Sequence, residues 1–300
     1  YSLQVLQAAA AVGQMRLVQM YESSFQRHNL QTAQVLLTHA DLSSRERYLN
    51  ARNTLKQLLN LNVIPVVNEN DTVVTDEIRF GDNDTLAALV ANLIEARTLL
   101  LLTDQPGLMS ANPRINAAAE LIERVSASNT ELDALAGEGS QFGRGGMITK
   151  VAASRIAARS GASTIIASGR EPGVVKKLSQ GEISGTLVTT DREPLVARKQ
   201  WLASLPIRGK LSLDLGACNV LKKDGRSLLP VGVVDSQGDY TRGDMVVCLD
   251  SDGREIARGL INYCSDDVKK LFGVSSDRLE RVLGYIYEEE LIHRDNLVIA

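Results

Sequence analysis

Between residues 33 and 168 short apolar runs alternate with helix-patterned segments, and this alternation leaves few folds open. Residues 33–37 and 63–67 read as strands, with a helix over 44–59 between them. A helix follows Asp84. Next comes TLLLLTD, residues 98–104, whose continuous apolar run suits a strand buried on both faces. A further helix over 148–160 leads into STIIAS, residues 163–168. Strand, helix, strand, helix is the grammar of an α/β fold with an open, mainly parallel sheet and helices on both faces. The opening YSLQVLQAAAAVGQMRLVQMYESSF also reads as helix, with Leu3, Leu6, Ala10, Leu17 and Met20 at helical spacing.

After about residue 205 the pattern changes. KLSLDLG and DMVVCLDSDGREIARGLINY read as short strands, the second pair turning at Asp252-Gly253, with small helices near 217–223 and 265–271. Two domains are expected, over residues 1–190 and 207–300. A polar linker over 191–206 joins them, punctuated by Pro194 and Pro206, with Trp201 as a packing anchor. A length of 300 residues at 44% hydrophobic content is ample for two cores.

Charge and composition exclude several function classes. The balance of 33 Lys plus Arg against 36 Asp plus Glu gives no sign of a polyanion-binding surface. No apolar stretch is long enough to span a membrane, and the start lacks a signal-peptide pattern, so the cytoplasm is the expected compartment. Cys218, Cys248 and Cys264 lack C-x-x-C spacing, and His28, His39 and His293 are scattered. Neither a disulfide framework nor a protein-borne metal site is expected.

Ligands of open parallel sheets gather beyond the carboxyl ends of the strands. Three segments there stand out: NENDTVVTDE with Asn70 and Asp71, TDQPGL with Thr103 and Asp104, and GRGGMITK, residues 143–150. Each has a plain alternative. Asn70 and Asp71 suit a turn, and so does Pro106-Gly107. The glycines of GRGGMITK let backbone N–H groups approach an anion where a helix begins, with Lys150 in its first turn. This is not the G-x-x-x-x-G-K-[ST] arrangement, because the lysine follows the threonine. FGDNDTLAALVAN sets Asp82, Asn83 and Asp84 before an apolar helix. Capping needs one such residue, which leaves another free for a site.

The ordered set AAVGQ, LNARNTLKQLL, VIPVVNENDTV, FGDNDTLAALVA, LLLLTDQPGL and GRGGMITKVAAS resembles the glutamate 5-kinases of the amino acid kinase family. RSLLPVGVVDSQGDYTRGDMVVCLDSDGREIARGLINY is similar to the PUA domain that bacterial members carry at the C-terminus, so nearly the whole chain is covered. The resemblance implies the amino acid kinase fold followed by a small, mostly-β PUA-like barrel. It also implies transfer of the ATP γ-phosphoryl group to the γ-carboxylate of L-glutamate, the opening step of proline biosynthesis. Lys150 would neutralise charge on the transferring group, and Asp84 would orient the catalytic lysines. Asp71 and Asn83 would hold the amino acid. Thr103, Asp104, Arg144, Gly145, Gly146, Met147, Ile148, Thr149 and Lys150 would surround ATP. Mg2+ would accompany the nucleotide, proline would inhibit near residues 69–80, and the enzyme would form dimers or tetramers.

The rival readings are a related kinase acting on aspartate, acetylglutamate, carbamate or a nucleoside monophosphate, an RNA-binding PUA protein, and a catalytically silent amino-acid sensor. The PUA-like tail speaks against the related kinases. Residues 206–300 hold 13 Lys plus Arg against 16 Asp plus Glu, which speaks against nucleic acid. The family opens with a strand ending in a lysine and a glycine-rich turn that no segment here matches. The resemblance therefore implies that the first part of the kinase domain is missing and that residues 1–300 alone phosphorylate glutamate poorly.

Overall fold

The opening segment forms helix α1 (Leu3–Gln26), whose half-buried face keeps Leu3 and Ala10 of the apolar spacing but not Leu6, Leu17 or Met20. Leu6, Leu17 and Met20 are 47%, 38% and 70% exposed, while Leu3, Gln7, Ala10, Gln14, Val18, Glu22 and Phe25 are half-buried. Hydrogen bonds select that face. Gln7 Nε2 donates to Val74 O at 3.1 Å, Asn68 Nδ2 donates to Gln14 Oε1 at 2.7 Å, and the Thr32 hydroxyl donates to Glu22. The computed structural model describes residues 2–74, 83–111, 116, 118–136, 146–182, 184–190, 202 and 205–300. The expected linker lies mostly outside these residues, and so does Trp201. The chain divides into two compact units, Tyr1–Ala197 and Arg198–Ala300.

In the first unit β1 (Gln31–Leu37) is followed by α2 (His39–Ser43), α3 (Arg45–Asn60) and β2 (Val63–Glu69). A Thr38–Asp41 capping box starts α2, each side chain bonding the other's backbone N–H. β1 and β2 pair in parallel from Gln31↔Val63 to Leu37↔Glu69. Helix α4 (Asn83–Ile94) then leads to β3 (Thr98–Thr103). After β4 (Arg124–Ser126) and α5 (Leu132–Ala136), α6 (Met147–Arg159) leads to β5 (Ser163–Ser168); α7 (Val174–Ser179) and β6 (Thr186–Thr189) follow.

These strands form a sheet of order β3-β5-β6-β4, separate from the β1-β2 pair. The β3–β5 and β4–β6 pairings are parallel and β5–β6 is antiparallel, so the sheet is mixed. β6 enters beside β5 through Gly185, at φ +137°, where an added Cβ would fall 2.3 Å from Ile166 O. The core lies between sheet and helices, with Ala88, Ala91, Leu101, Val151, Ala157 and Ile166 buried together. β3 is not buried on both faces as its apolar run predicts: Leu99 and Leu101 are buried, while Leu102 is 47% exposed. Between β2 and β3, over α4, lies an apolar cavity of about 380 Å3 lined by Val67, Leu86, Val90, Ile94 and Leu99 among others.

The second unit contains β7 (Ile207–Leu213), α8 (Leu215–Asp224), β8 (Val233–Gly238), β9 (Met245–Leu249) and β10 (Glu255–Leu260). It ends with α9 (Ser265–Lys270), α10 (Leu279–Leu283) and β11 (Leu297–Ile299). The strand order is β11-β10-β9-β7-β8, and among the described residues no ladder joins β8 to β11 to close a barrel. Its core packs Leu211, Tyr240, Cys248, Ile261 and Tyr263. Cys248 is wholly buried, and that burial pushes its thiol up to about 12.

Candidate active site

Helices α4 and α6 pack against each other and bring their first turns together. Asp84 stands in the first turn of α4 and Lys150 in that of α6. Lys150 Nζ lies 2.8 Å from Asp84 Oδ2, with only 11% and 16% of the two side chains exposed. An ammonium so far from water is tolerated because a carboxylate meets it. The Asp84 side chain therefore serves a contact between elements, where the sequence left capping open. Thr149 Oγ1 also reaches Asp84 Oδ2, at 2.9 Å, and Gly146 O, at 2.7 Å.

Gly146 caps α6 in extended backbone, with no side-chain cap bond. Among the described residues an added Cβ there would meet nothing within 4 Å, so their packing does not demand a glycine. Two helix N-termini, each the positive end of a helix dipole, thus converge beside a lysine. Such an arrangement holds and polarises a phosphate.

Of the other expected residues, Asp71, Thr103 and Asp104 lie at or just beyond the carboxyl ends of strands, and Asn83, Met147 and Ile148 lie on first turns of helices. Asn83 is exposed at the start of α4. Asp71 is exposed in the turn after β2, which is tied down by Asn70 N donating to Leu37 O at 3.0 Å. Asn68, at the end of β2, is held by Gln14 of α1. Thr103 and Asp104 follow β3, with Thr103 Oγ1 donating to Asp104 Oδ1 at 3.2 Å and Gly169 N to Thr103 O at 2.8 Å. Met147 is half-buried and Ile148 is 40% exposed on the first turn of α6. Arg144 and Gly145 lie outside the described residues.

Two supports go beyond what the sequence reading named. Leu108 N donates to Thr186 Oγ1 at 2.8 Å, anchoring the loop after β3 to β6 across 78 residues. The convergence of Thr149 with Lys150 on a single carboxylate oxygen is the other. A hydroxyl residue on the first turn of a helix, next to a lysine, was the clue available.

Residues 2–168 match the amino acid kinase family, and residues 209–283 match the PUA domain. The glutamate 5-kinase of Nitrosococcus oceani is 59% identical over 300 residues, covering 99% of this chain and 80% of that protein. That of Chromohalobacter salexigens is 61% identical over 296 residues, covering 98% and 78%. The chain belongs to the glutamate 5-kinases of the amino acid kinase family.

Among solved structures, this kinase is similar to E. coli aspartokinase III in complex with aspartate and ADP, at 19% identity and a TM-score of 0.44, covering 64% of this chain and 42% of that one. The T. acidophilum isopentenyl phosphate kinase product complex matches at 15% identity and a TM-score of 0.40, covering 58% and 66%. Among the described residues no helix of this kinase is long and apolar enough to cross a membrane.

Proposed function

We propose that this kinase transfers the γ-phosphoryl group of ATP to the side-chain carboxylate of L-glutamate, giving γ-glutamyl phosphate and ADP, the first step of proline biosynthesis. The buried Lys150–Asp84 pair where two helix N-termini meet carries the reading, since it offers fixed positive charge to a transferring phosphoryl group. The high identity to proteins named glutamate 5-kinase supports glutamate as the acceptor.

A carboxylate oxygen of glutamate forms the new bond to γ-phosphorus, and the bond from γ-phosphorus to the oxygen bridging it to the β-phosphate breaks. No proton has to move, because the γ-carboxylate is ionised at neutral pH. Asp84 therefore acts by holding Lys150 in place. The cost that remains is bringing anion against anion, which positioning and positive charge offset. Asp71 would meet the substrate ammonium and Asn83 its polar groups. Thr103 and Asp104 would touch the nucleotide beyond β3, and the segment from Arg144 to Lys150 would close around its phosphates. Among the described residues no group of three or more His, Cys, Asp or Glu could hold a metal ion. Mg2+ fits as a companion of the ATP phosphates, retaining most of its ligands from them and from water. Proline inhibition, homo-oligomers and a cytoplasmic location complete the reading, on the strength of the family resemblance.

Trapping decides the substrate. The full-length protein, Mg-ATP, hydroxylamine and a panel of amino acids should yield a coloured hydroxamate with glutamate alone. A stronger signal from aspartate or acetylglutamate would overturn the assignment.

A further inference from the structure

The Thr149 hydroxyl has one proton and two acceptors in reach, the Gly146 carbonyl and the Asp84 carboxylate. Both are oxygen acceptors, and both lie closer than 3 Å. A nucleotide phosphate is also an acceptor, so it could gain this proton only by displacing one of them. The same Asp84 Oδ2 takes the Lys150 ammonium, so adjacent side chains of α6 converge on one oxygen from α4.

We infer that the Thr149 side chain is a positioning residue: it clamps the Asp84 carboxylate against the first turn of α6 and so fixes the Lys150 ammonium. Any contact of Thr149 with the nucleotide is left to its backbone N–H. This rests on the reading of Lys150 given above. The physical need is clear from the lysine itself, a compact charge on a flexible four-carbon stem that a single ion pair leaves free to pivot. With the carboxylate held from two directions, one ammonium N–H is committed to Asp84 and the other two can face the phosphoryl group. Freed of Thr149, Asp84 can turn about its own torsions, and Lys150 follows it. A shift of about 1 Å at such a group can cost on the order of a hundredfold in rate.

The test is a double-mutant cycle in the full-length protein, measured at saturating substrate on whichever amino acid the trapping panel shows to be the acceptor. A failure of glutamate as substrate therefore leaves this test intact. Thr149→Val keeps the shape and removes the hydroxyl; kcat should fall about tenfold or more. The Kd of a fluorescent ATP analogue should stay within about twofold, because the lost bond is internal to the protein. Thr149→Ser should retain most of the turnover. In an Asp84→Asn background, Thr149→Val should cost much less than it does alone. An unchanged kcat in Thr149→Val would overturn the inference, as would weakened nucleotide binding with turnover intact. Equal losses in the Val and Ser variants would assign Thr149 to packing alone, and a fully additive cycle would separate it from Asp84. If Thr149→Val fails to fold, Thr149→Ala is carried through the same cycle with the same criteria.

Discussion

Lys150 is 9% exposed, and its ammonium meets Asp84. On the proposed reading Lys150→Ala removes a preorganised charge from the transferring phosphoryl group, so kcat should fall by on the order of a hundredfold or more in a coupled ADP-release assay. A rise in the KM for ATP with kcat intact would make the lysine a ground-state anchor instead. Asp71, exposed beyond β2, is expected to act on one ligand only. Asp71→Asn should weaken glutamate far more than ATP, since a charge-assisted bond to the substrate ammonium becomes a neutral one. Equal weakening of both would leave Asp71 as a turn residue. At this scale the place of Lys150 in the first turn of α6 was legible, because glycines before a periodic segment mark a helix start. Asp84 was ambiguous, because a carboxylate at a helix start also caps. Only the packing of α4 on α6 decides between the two uses.

Elements with strong local patterns were legible to within a residue or two, as with β5 and α6. The pairing of the strands was not. β6 is only Thr186–Thr189, too short to declare itself, and its antiparallel entry beside β5 depends on the room that Gly185 leaves. The half-buried face of α1 is legible only in part for a related reason: apolar spacing marks Leu3 and Ala10, but not the bond that Gln7 donates or the one that Gln14 accepts. The loop after β3 is held in the same non-local way. Gly107 lies so close to Thr186 that an added Cβ would stand 2.7 Å from its Oγ1, and the next residue, Leu108, bonds that oxygen. Thr186→Val keeps the shape but strands the buried Leu108 N–H, which should cost about 1–3 kcal/mol in urea unfolding. An unchanged midpoint would show that the loop is anchored elsewhere.

The two units differ in a way that only a view of the entire chain brings out. All three cysteines of the sequence, Cys218, Cys248 and Cys264, fall in the second unit, so the first is free of thiols. Cys218 and Cys264 are half-buried, whereas Cys248 in β9 is fully enclosed and its thiol is pushed up to about 12. At pH 8 its thiolate fraction is therefore on the order of 10−4, and no reagent can reach it in the folded state. Of these three thiols at most two should thus react promptly with a thiol-reactive dye in the native protein, and Cys248 only as molecules open, as mapping of the labelled cysteines would show. Simultaneous reaction of all three in buffer would mean that β9 is not sealed. Cys248 is in this sense a built-in clock: its own slow labelling times the excursions of the PUA-bearing unit, while residues 1–197 hold no thiol through which the same dye could time theirs.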